Sequence, residues 1–117
     1  MQPIRVGSGV EQRKHKRVPL GVPIECRSGQ MTVAGRAENI SVSGLLIRAE
    51  KTFAEDEEIT VSFQLPGSTQ AIQFRASVAH VVPEVFIGVE FLDIPAELSE
   101  LIEKYVAAGL ASAVKQK

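Results

Sequence analysis

From Glu58 to Val82 the chain sets down two stretches of strict alternation with a tight turn between them. "EITVSFQL" brings Ile59, Val61, Phe63 and Leu65 to one side, and "PGST" (Pro66 to Thr69) reverses the direction. "AIQFRASVAHVV" then resumes with Ile72, Phe74, Ala76, Val78, His80 and Val82 on one face. A period of two buries one face of a segment and wets the other, as half-buried antiparallel strands require. A proline–glycine turn between two such segments makes a hairpin. Each strand of the pair has an apolar face too large to leave open, so the sheet must close on itself or be covered.

Shorter segments carry the same texture. "VPIECR" places Val22, Ile24 and Cys26 together, "SGQ" (Ser28 to Gln30) turns, and "MTVAGRA" continues with Met31, Val33 and Gly35. "LLIRA" is a further apolar run, and "VFIGVEFL" sets Phe86, Gly88 and Glu90 opposite Ile87, Val89 and Phe91. The last segment changes period: Leu98, Leu101, Ile102, Tyr105 and Val106 recur at three and four, the stripe of an amphipathic helix. Asp93 or its neighbour can cap that helix, and Pro95 suits a first helical turn. About six short strands followed by one helix predict an all-β fold, a six-stranded antiparallel barrel flanked or plugged by a C-terminal α-helix.

Residues 1–12, with Pro3, Gly7, Ser8 and Gly9, have no hydrophobic period and read as a flexible arm. The folded domain is expected over residues 13–108. Gly109 is expected to weaken the helix, leaving 109–117 as a frayed tail.

Charge is distributed unevenly. Residues 1–17 carry Arg5, Arg13, Lys14, Lys16 and Arg17 against Glu11 alone, whereas Glu50 to Glu58 hold five acidic residues against Lys51. The formal net charge is only −1, which gives no bulk electrostatic case for nucleic acid or an anionic membrane. Cys26 is the single cysteine, so an intramolecular disulfide is impossible and a cysteine-based metal site is not expected. No apolar run approaches the ~18 residues of a membrane span. The opening residues also lack a signal-peptide core, so a cytoplasmic address is expected.

Two short stretches bear on function. "EQRKHKR" (Glu11 to Arg17) holds a dense basic cluster before the first strand, and "NISVSG" (Asn39 to Gly44) lies between the second and third strands. Separately they are ordinary: a solvated basic run, and a serine-rich corner whose Asn, Ser and Gly favour tight turns. Together, Arg13 and Arg17 form R-x-x-x-R, and about twenty residues on, Asn39, Ser41 and Gly44 form N-x-S-x-x-G. This order and spacing resemble the PilZ domain family, bacterial receptors for cyclic diguanylate (cyclic di-GMP). The likeness extends through "RVPLGVPIECR", "AENISVSGLLI", "FIGVEFLDI" and the closing helix, over about residues 11 to 107.

The resemblance implies a barrel whose basic arm folds over a ligand on the outer face. It further implies that Arg13, Arg17, Asn39, Ser41 and Gly44 bind cyclic di-GMP, with Gln12, Lys14 and His80 as secondary candidates. The chemistry suits that ligand. Arginine forks bond phosphate oxygens bidentately, pair with the O6/N7 edge of guanine and stack on flat rings. Lys14 and Lys16 supply charge without the fork. Asn39 stands where the family has Asp or Asn. Some members carry Trp near the end of the fifth strand; this chain has none, and His80 lies about there. The alternating pattern, which sets His80 beside Phe74 and Val78, predicts a partly buried structural histidine. Gln12 stands at a position that in the family influences ligand stoichiometry, and favours one ligand per chain.

The expected role is a receptor that orders its arm over the ligand and signals to a separate effector protein, as a monomer or weak dimer. No cofactor or metal is expected. An enzyme fits poorly: no G-x-S-x-G, phosphate-binding Walker loop, H-E-x-x-H or His/Cys cluster occurs. A nucleotide-independent adaptor of the same fold is one alternative, although the complete motifs oppose it. A small barrel binding single-stranded nucleic acid is another, opposed by one Tyr, five Phe and no net positive charge.

Overall fold

The computed structural model describes residues 15–51 and 53–115, excepting the side chains of 113–115. Six strands close into an antiparallel barrel in the order β1-β2-β3-β6-β5-β4. They are β1 (Val18–Ser28), β2 (Met31–Ile40), β3 (Gly44–Arg48), β4 (Glu58–Gln64), β5 (Ala71–Val82) and β6 (Phe86–Leu92), followed by one helix, α1 (Ala96–Lys115). Closure follows from the strength of the alternation: Ile59, Val61, Phe63, Leu65, Ile72, Phe74, Ala76 and Val78 are all buried. Phe74 sits centrally, edge-on to Phe63 (centroids 6.1 Å apart) and to Phe91 (4.8 Å). Such T-shaped pairs add about 1 kcal/mol each beyond burial. The Pro66–Thr69 turn joins β4 to β5 with Gly67 at φ 85°.

Two strands depart from strict alternation. In β2, Ala37 pairs with Ile47 and Asn39 with Leu46, so Glu38 is an extra residue. Ala37 and Ile40 both point inward and are fully buried; Glu38 and Asn39 between them are half-buried and belong to the outer face. A bulge of this kind re-aims side chains at the cost of local pairing. In β5 the register shifts between Val78 and His80, so Ala79 is the surplus residue. Ala79 and His80 are therefore exposed, and Val81 returns to the core. The expectation of a partly buried His80 is corrected: the bulge reverses its face.

The helix closes one end of the barrel through Ile102 and Val106, which are buried. Its first carbonyl acceptor is Pro95 O, bonded by Ser99 N at 2.9 Å. Asp93 does not cap it; its carboxylate instead pairs with Arg75. Leu101, expected in the apolar stripe, is 39% exposed. The helix also runs through Gly109 to Lys115, where a frayed tail was expected, because Gly109 packs directly on Val18. Tyr105 Oη donates to Pro19 O at 3.0 Å, fastening the same stretch of β1. No described helix is long and apolar enough to cross a membrane.

Candidate functional site

The N-x-S-x-x-G stretch forms the β2–β3 corner, and Ser41 is the pin that holds it. The residue is only 3% exposed, and its Oγ accepts from Ser43 N and Gly44 N, each at 3.1 Å. Ser41 N in turn donates to Gly44 O at 2.9 Å. Serine side chains stabilise tight corners in this manner. With two N–H groups on its oxygen, the hydroxyl has its hydrogen left to offer, and Ser43 Oγ lies 3.3 Å away. Gly44 opens β3 opposite Glu90. A Cβ there would stand 2.4 Å from Val89 O, so only glycine lets β3 approach β6 at this point. Phe91 N donates to Ser43 O at 2.9 Å and ties the corner to β6.

A cleft of about 480 Å³ opens beside this corner, lined by Arg17, Val18, Pro19, Glu38, Asn39 and Leu46. Arg17 enters from the residues leading into β1, and Asn39 from the bulge in β2. The side-chain oxygen Oδ1 of Asn39 is buried without a hydrogen-bond partner among the described residues. A buried acceptor left unmatched costs about 1–3 kcal/mol, so this atom is poised for an N–H donor. His15 Nδ1 lies 3.0 Å from Ser43 Oγ, which brings the leading segment onto the corner itself. Gln12, Arg13 and Lys14, and the arm of residues 1–12, lie outside the described residues.

The register extends the site across the sheet. Pro19 pairs with Asn39, Asn39 with Leu46, Leu46 with Gly88 and Gly88 with His80. This is one outward-facing row, spanning about 14 Å from Asn39 to His80 at normal strand spacing. Gly88 has no side chain, leaving a flat floor between Leu46 and His80. Below the row, Arg48 Nε donates to Glu38 Oε2 at 2.9 Å, and its guanidinium carbon lies 4.9 Å from the Phe86 ring centroid. Glu38, Arg48 and the Gly88 floor were missed by the sequence reading. The available signal was the three-residue spacing of Ala37 and Ile40, and of Val78 and Val81, within otherwise alternating strands.

Among the described residues there is no cluster of His, Cys, Asp or Glu fit to hold a metal ion. Cys26 is buried in the barrel, and burial pushes its thiol up to about 11, with Glu25 adding to the effect.

The family model for the PilZ domain matches residues 11–108. The chain belongs to the PilZ domain family. Solved PilZ structures share its fold at low identity. The inhibitor of motility MotI/DgrA of Bacillus subtilis superposes with a TM-score of 0.74 at 16% identity, over 91% of this chain and 53% of that one. The PilZ domain of YcgR from Escherichia coli, solved with c-di-GMP, gives 0.68 at 12% identity, covering 90% and 96%. The PilZ domain of CeSA from a cellulose-synthesizing bacterium gives 0.61 at 16%, covering 80% and 96%. This PilZ chain thus spans about half the length of MotI/DgrA. A comparison with curated proteins finds no match.

Proposed function

We propose that this PilZ protein is a receptor for cyclic di-GMP that binds the dinucleotide in the cleft beside the β2–β3 corner. One observation carries the reading: Arg17 and Asn39, from separate motifs, line the same cleft. Arg17 suits a phosphate or the O6/N7 edge of guanine, and the unmatched Asn39 oxygen suits a guanine N–H. Gly44 and Ser41 shape the corner, and the Ser41 hydroxyl hydrogen is available to a ligand acceptor. The YcgR structures solved with c-di-GMP, which share this fold, support the same ligand class.

Binding lays the segment that contains Arg13 over the ligand, neutralising its charge. Ordering such a segment takes about 2–5 kcal/mol from the gross contact energy. The composite of segment, ligand and barrel face is then what a separate effector protein recognises. The role is one of binding and signalling rather than catalysis.

Calorimetric titration with cyclic di-GMP tests the reading. The wild-type chain binds one ligand, and Arg17→Ala abolishes binding while keeping a cooperative melting transition. Failure of the wild type to bind, or Arg17→Ala binding unchanged, would overturn it; so would preferential binding of a single-stranded oligonucleotide. Limited proteolysis within residues 1–14 that ran equally fast with and without saturating ligand would remove the ordering step.

A further inference from the structure

We infer that Glu38 is a base-reading residue of this cleft and that Arg48, seated on Phe86, is the positioning residue that holds it. The inference rests on the cyclic di-GMP reading and concerns how the cleft chooses its base. A carboxylate lining a cleft for a dianion is at first sight misplaced, since it repels phosphate. Three observations reconcile it with such a ligand.

The first is the bulge. Regular alternation would turn only one of the two residues between Ala37 and Ile40 outward, and the surplus residue puts Glu38 beside Asn39 on the cleft. Bulges gather next to functional sites because they re-aim side chains. The second is neutralisation: Arg48 Nε bonds Oε2 at 2.9 Å. The Arg48 guanidinium is itself held over the Phe86 ring at 4.9 Å. The pair contributes no net charge, so Glu38 adds no net repulsion towards the phosphates. The third is the pattern of acceptors. Arg48 takes Oε2 of Glu38, which leaves Oε1 open to a donor among the described residues, and Asn39 Oδ1 is buried and unmatched.

An acceptor on each of two neighbouring residues that line one cleft complements an edge bearing two donors. Guanine has such an edge, in N1–H and the exocyclic amine. The corresponding edge of adenine presents one donor and one ring-nitrogen acceptor, which would face a carboxylate lone pair to lone pair. Buried polar groups left unpaired by the wrong partner give large discrimination. The cleft therefore selects guanine over adenine through Glu38 as well as Asn39.

The test is calorimetry on the full chain with cyclic di-GMP and, separately, cyclic di-AMP, with melting temperatures recorded for every variant. Glu38→Ala weakens cyclic di-GMP by about ten- to hundredfold, the size of a bidentate base contact, without a matching fall for cyclic di-AMP. Arg48→Ala weakens cyclic di-GMP similarly, and the double variant is no worse than Glu38→Ala alone, as coupled residues require. Tighter binding of cyclic di-GMP by Glu38→Ala would show the carboxylate merely repels phosphate and would overturn the inference. So would unchanged affinity, or an equal loss for both dinucleotides. A wild-type chain that bound neither dinucleotide would overturn the reading of the cleft, and this inference with it. Wild-type binding with an inert Glu38 would overturn this inference alone.

Discussion

Gly109 of α1 lies against Val18, the first residue of β1, so closely that a Cβ would stand 2.8 Å from one Val18 methyl and 2.9 Å from its Cβ. The helix is therefore seated on the residues that lead into the cleft, since Val18 and Pro19 also line it. Tyr105 grips Pro19 O from the same side.

Replacing Gly109 with alanine sets two effects against each other. Alanine in a helix interior gains about 1 kcal/mol over glycine. Overpacking against Val18 costs about 1–3 kcal/mol, and Val18 is buried with little space to retreat. Net destabilisation of up to about 2 kcal/mol is expected in urea unfolding. Adding Val18→Ala makes room for the methyl and restores part of the loss, so the pair is non-additive.

Ser41→Ala removes the acceptor of two backbone N–H groups. The Gly44 N–H is buried, and stranding it away from water costs about 1–3 kcal/mol, whereas the Ser43 N–H can turn to water. A loss of about 1–3 kcal/mol by chemical denaturation is expected, before any effect on ligand. Gly44→Ala, whose methyl would collide with Val89 O, is expected to be at least as damaging. If Ser41→Ala kept full stability, the corner would not depend on its hydroxyl.

Asn39→Asp should bind cyclic di-GMP equally or up to about tenfold more tightly, the size of one charge-assisted hydrogen bond. A carboxylate supplies acceptors in place of an amide that is half donor. Calorimetry checks this, and a clear loss of affinity would show that Asn39 does not face guanine donors.

Cys26 makes stability depend on alkaline pH. Its folded-state value, about 11, exceeds the ordinary 9.0. The neutral thiol is thus favoured by folding, and the contribution is whole below pH 9 and lost as pH rises towards 11. The loss attributable to this group is about 2 kcal/mol by pH 11. It is read as a shrinking stability difference between wild type and Cys26→Ala in urea titrations at pH 8 through 11. Thiol reagents should accordingly react with the folded chain slowly at pH 8 and with the denatured chain readily.

The barrel was legible wherever alternation was strict. The apolar faces of β4, and of β5 as far as Val78, were named correctly from period alone, because each inward residue there is buried by closure; in β6 Ile87 and Val89 are buried and Phe91 is partly buried against the core. Legibility ended where the period broke. His80 was misassigned by continuing the count of two through Ala79, and Glu38 was passed over for the same reason. The helix was found from its stripe, but its extent was not. Gly109 reads locally as a breaker, and only its contact with Val18 explains why it is kept within the helix. The cleft was half legible: Arg17 and Asn39 could be paired through a resemblance, whereas Arg48 and Phe86 are brought together by a strand pairing that no spacing in the sequence encodes.

The surplus residue in β2 also makes the cleft separable from the interior in genetic terms. Ala37 and Ile40 keep their inward places with one residue between them as readily as with two. Loss of the single codon for Glu38 would regularise the strand and leave Asn39 on the surface. A lineage can therefore acquire or discard a second polar head at this position in one in-frame step, with the hydrocarbon packing beneath unchanged.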